Sequence, residues 1–87
     1  MNITDQQLKA IAIAGGLKNA EQLEVKRSEN YFELGSLAND GTWISSFSLK
    51  FMVGACTDSV EFESTDDTFN KEAARTKMEN LGLIERL

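Results

Sequence analysis

Apolar and polar residues alternate most regularly between Trp43 and Val53. Trp43, Phe47, Leu49, Phe51 and Val53 are large and apolar, with Ser45 the one small exception among the odd positions. Ser46, Ser48 and Lys50 are polar, while Ile44 and Met52 break the alternation at its ends. Successive side chains of a strand point to opposite faces, so this spacing predicts a strand over 42–53 with one buried and one wetter face. Asn39-Asp40-Gly41 stands just before it, and Asp-Gly is a hairpin signal because both residues tolerate positive φ. The strand is expected to be central in an antiparallel sheet. Trp43 is expected in its core, since aromatics on the alternating face are what a small sheet buries.

Upstream, Ile3-Thr4-Asp5-Gln6-Gln7-Leu8 reads as a helix start. Thr4 caps, Gln7 completes a capping box, Ile3 and Leu8 have staple spacing, and Asp5 complements the helix dipole. Leu8, Ile11 and Ala12 share one face, and Gly15-Gly16 ends the helix, giving a span of about 5–14. Residues 17–22 fit either a loop or one more helical turn. Leu23 and Val25 alternate with Glu24 and Lys26, and Tyr31, Phe32 and Leu34 form a second extended run. The pattern leaves open whether Ser28-Glu29-Asn30 turns between two strands or 23–34 is one bulged strand. Residues 35–41 read as a connection.

Downstream, residues 54–58 read as a loop. Val60 and Phe62 alternate with Ser59, Glu61 and Glu63, predicting a last strand over 59–63 with one acidic face. Ser64-Thr65-Asp66-Asp67 supplies capping candidates and acids for a helix start. Phe69, Ala73, Ala74, Met78 and Leu81 form an apolar helical arc that Gly82 stops. The tail Leu83 to Leu87 is expected to pack back on the core. The order is helix, three or four strands, helix in a single domain, 1–87. That order indicates an α+β fold with both helices on one face of an antiparallel sheet.

Composition adds bounds. The 87 residues, 41% hydrophobic and 26% charged, are ordinary for a globular domain with one modest core. No apolar run approaches the ~20 residues that span a bilayer, and the N-terminus lacks the basic and apolar regions of a secretory signal. Cys56 is the only cysteine, so a reducing cytoplasm is expected. Net charge is −5, unevenly spread. Residues 1–27 carry four bases against three acids, as do 71–87, whereas 28–70 hold eight acids and only Lys50. Such a middle repels phosphate backbones and attracts basic protein surfaces. Acidic charge also keeps a small domain soluble, whatever else it does.

Chemistry is sparse. The absence of histidine excludes Ser-His and Cys-His nucleophilic sites, and one cysteine excludes ordinary structural zinc. Gly15-Gly16 lacks the spacing of a phosphate loop. Asp58, Glu61, Glu63, Asp66 and Asp67 form the one dense carboxylate cluster, but not at the spacing of a calcium loop. No metal, cofactor or catalytic residue is assigned. Cys56 has no cationic neighbours in sequence and reads as inert. Trp43, Tyr31 and Phe32 offer an alternative reading as an interaction patch.

The order helix, three strands, helix resembles that of the double-stranded-RNA-binding domain. Lys71-Glu72-Ala73-Ala74-Arg75 resembles the basic, alanine-rich stretch at the start of that family's last helix. The resemblance implies duplex RNA recognition through phosphate and 2′-hydroxyl contacts. Asp66 and Asp67 stand where that family needs positive charge, and the strand before them is acidic. In general character the chain also resembles small phage-encoded proteins that inhibit host nucleic-acid-handling or defence machinery, some of them nucleic-acid mimics. The expected function is therefore a non-enzymatic protein-binding module, with Glu61, Glu63, Asp66 and Asp67 meeting a partner's basic surface. One alternative is a nucleic-acid-binding domain using Lys71, Arg75, Lys77 and Lys50. The other is a small enzyme or subunit with a carboxylate site.

Overall fold

Two helices and four strands follow one another in the computed structural model, which describes residues 2–53 and 58–84. Cys56, the rest of 54–57, the tail residues 85–87 and the side chains of Val53 and Asp58 lie outside the described set. Helix α1 spans Asp5–Ala14, β1 Glu24–Arg27, β2 Tyr31–Leu37, β3 Trp43–Val53, β4 Asp58–Ser64 and α2 Lys71–Asn80. The stretch that fits a loop or a helical turn holds a short 3-10 turn at Ala20–Gln22. The strands form an antiparallel meander in the order β1-β2-β3-β4. The fold is α+β, and 23–34 divides into two strands rather than one.

Helix α1 begins as its sequence predicts. The Gln7 amide donates to Thr4 Oγ1 and the Thr4 amide to Gln7 Oε1, each at 3.0 Å. At its end Gly15 keeps a right-handed conformation, and Gly16 alone adopts positive φ, 111°. Gly16 N–H then donates to the Ile13 carbonyl and Leu17 N–H to the Ala12 carbonyl, a Schellman closure. The β2–β3 turn departs from expectation. Only Gly41 has positive φ, 86°, and Asp40 does not. A turn closed by Gly41 N–H on the Ala38 carbonyl is followed by a left-handed glycine, so a three-residue loop replaces the two-residue form. Residues 35–37, expected in the connection, continue β2.

Trp43 is not in the core. Leu34 pairs with Phe47, but Gly35 pairs with Ser45, leaving Ser46 as an extra residue. A bulge of this kind shifts the alternation by one residue. Trp43 and Ser45 therefore share the outer sheet face with Tyr31, Glu33 and Lys50. Ile44 turns to the helix side, where it is 51% exposed. The Trp43 Nε1–H donates to Glu33 Oε2 at 2.6 Å, and the Lys26 ammonium lies 5.3 Å from the indole ring centre.

The core lies between the sheet and the two helices. Phe32, Leu34, Phe47, Leu49 and Phe62 from the sheet meet Leu8, Ile11, Ala12, Ala74 and Met78 from the helices. Leu83 and Ile84, the described part of the apolar tail, pack against it. Phe47, Leu49 and Phe51 are buried and Lys50 is exposed, as the alternation predicts. Ser48 is buried as well, set in the row between Glu33 and Glu63 of the neighbouring strands.

Candidate protein-binding edge

Strand β4 forms one edge of the sheet. Val60 and Phe62 pair with Phe51 and Leu49 on the helix side, so the strand's own alternation sends Glu61 and Glu63 to the outer face. Both are exposed. Glu61 stands opposite Lys50 and Glu63 opposite Ser48. Among the described residues the ion pairs are Arg27–Asp5 and Arg75–Glu79, so neither β4 carboxylate is engaged in one.

Asp66 and Asp67 were expected to open the last helix, and they do not. Asn70 is the cap of α2, its side-chain oxygen accepting from the Ala73 amide at 3.0 Å. Asp66 instead folds the preceding loop. Its Oδ1 accepts from the Thr68 hydroxyl at 2.7 Å and the Thr68 amide at 2.9 Å. Those two bonds, the hydroxyl first, hold its carboxyl below the usual carboxylate value. The loop delivers Phe69 into the core, with its ring centre 5.3 Å from that of Phe47 and 6.4 Å from that of Phe62. The Asn70 amide donates to the Gly15 carbonyl at 2.8 Å, tying the start of α2 to the end of α1. A Cβ at Gly15 would overlap the Phe69 ring, so this approach requires glycine.

These contacts set the first turns of α2 alongside β4 and leave an open groove of about 510 Å³ between them. Val60, Glu61, Phe62 and Glu63 form its strand side, and Lys71, Glu72 and Arg75 its helix side. A second hollow of about 310 Å³ continues from it, where Glu63 meets Asp66, Asp67 and Lys71. The four predicted carboxylates thus fall in two overlapping groups, joined through Glu63. The sequence names Lys71 and Arg75 as bases but does not show that they stand beside these carboxylates. Lys71 borders both hollows and Arg75 the first, while Lys50 lies across the sheet from α2. Among the described residues no three carboxylates, histidines or cysteines converge as metal ligands, and no helix is long and apolar enough to cross a membrane. Comparison of the chain with protein-family profiles, curated proteins and solved structures finds no match.

Proposed function

We propose that this protein is a non-enzymatic protein-binding module that engages a partner's basic surface at the β4 edge. The observation that carries the reading is the placement of Glu61 and Glu63. They stand exposed on an edge strand, without ion pairs among the described residues, and border a groove. Opposite charge across such a surface speeds encounter and fixes orientation. Asp66 and Asp67 extend the negative surface into the adjoining hollow. The distribution of bases weighs against a phosphate-binding face, because Lys50 and α2 lie on opposite sides of the sheet and Arg75 contacts Glu79 at 3.6 Å. Phosphate recognition needs bases gathered along one surface. The test is affinity capture from the native host with wild type and with Glu61→Gln/Glu63→Gln. The reading expects a basic protein retained by wild type and released by the double variant. Equal retention of every captured protein contradicts it.

A further inference from the structure

We infer that the partner enters as an extended segment that adds a fifth strand to β4, with basic and apolar residues alternating along it. This inference rests on the protein-binding reading and specifies the form of the partner.

Three observations converge. First, β4 is seven residues long and pairs only with β3 among the described residues. An antiparallel edge strand directs the N–H and C=O groups of alternate residues away from its one neighbour, which is a template for another strand. Second, the groove beside it gives an added strand two different sides. Residues on the outer side would lie next to Glu61 and Glu63, where cross-strand neighbours of opposite charge are favoured. Residues on the inner side would lie over half-buried Val60 and beside Lys71 and Arg75. Glu72 stands between those two bases, so the inner side offers an added strand no surplus of negative charge, and apolar residues there cover Val60. A uniformly basic segment therefore fits worse than an alternating one. Strand addition with side-chain pockets at alternate positions is a recurring mode of peptide recognition.

Third, the same residues disfavour a second copy of this chain paired at the centre of the edge. An antiparallel self-pair centred on Glu61 places that carboxylate against its own copy. One centred on Phe62 places Glu61 against Glu63. Like charges directly opposite destabilise a strand pair, and charged edges are how sheets avoid self-association. The centre of the edge thus favours a segment of opposite charge over its own sequence.

The experiment titrates the ¹⁵N-labelled full chain with a short end-blocked peptide alternating lysine and valine. Controls are a peptide of the same composition with its lysines in one block, and the alternating peptide N-methylated at every second residue on either register. The inference expects slowed exchange of β4 amides with the alternating peptide, affinity roughly tenfold lower for the block peptide, and loss of binding on N-methylation in one register only. Charge reversal, Glu61→Lys with Glu63→Lys, should exchange preference for Lys/Val against a Glu/Val peptide. Equal binding of the alternating and block peptides without protection of β4 amides overturns the strand inference and leaves the acidic-surface reading standing. Failure of every basic peptide to bind at low salt, with the fold intact by its amide spectrum, overturns both.

Discussion

Gly35 shows how closely one residue constrains its surroundings. A Cβ there would overlap the Ile44 carbonyl and press on the Trp43 ring, so β2 and β3 reach this spacing only with glycine. The bare backbone lets the indole lie across the strand toward Glu33 and Lys26. Gly35→Ala should cost about 1–3 kcal/mol in urea melts and change Trp43 fluorescence, because the ring must move. An unchanged emission spectrum would mean that the indole does not lie over Gly35. Asp66 supplies a pH-dependent counterpart. Its pKa is lowered in the folded chain by the Thr68 bonds, so its contribution is complete above its ordinary value of 3.8. That contribution is lost as pH falls through the lowered native value. Asp66→Asn should therefore lower stability at pH above that ordinary value and flatten the loss in acid below it, so that the gap from wild type narrows as pH falls. Equal acid sensitivity in the variant and wild type would remove Asp66 from the loop's stability.

At the scale of elements, caps and bulges decide where the pattern in the sequence is readable. The α1 start was legible because Thr4 and Gln7 sit three apart and satisfy each other's amides locally. The α2 start was not, because Thr65, Asp66 and Asp67 are equally good caps in isolation. The choice of Asn70 follows from Phe69 joining Phe47 and Phe62, a long-range packing demand. Asn70→Ala should cost ~1 kcal/mol, as should Thr4→Ala, whereas Thr65→Ala should cost less. A larger loss for Thr65→Ala in thermal melts would move the helix start. The Trp43 face was misread for a related reason. Trp43-Ile44 and Ser45-Ser46 are doublets that a strict alternation cannot place, and the bulge at Ser46 resolves both. Doublets in an otherwise alternating strand carried that signal in the sequence. The bases that line the groove were individually visible, but their approach to Glu61 and Glu63 depends on the docking of α2 against Gly15.

Across the whole molecule, the helices cover one sheet face, and among the described residues neither edge strand has a second strand beside it. Burial converges on Phe47, which touches the aromatic pair that joins β4 to α2. Phe47→Ala should cost ~3–5 kcal/mol, a large share of a small domain's stability. Loss of the groove would accompany it, since Phe69 and Phe62 hold its two walls in place. The β2–β3 hairpin runs past β1 and β4, leaving Leu37 59% exposed at its tip. The acids of β4 contribute little to folding at exposed positions, so they can be changed without unfolding the chain. That separation makes the central claim accessible to one measurement, the association rate of wild type and Glu61→Gln/Glu63→Gln with the captured basic partner at low and raised salt. The account predicts that the wild-type rate falls steeply as salt rises, with screening acting over ~8–10 Å, and that the double variant is slower at low salt and less salt-dependent. Equal rates for the two proteins at both salt concentrations would contradict it.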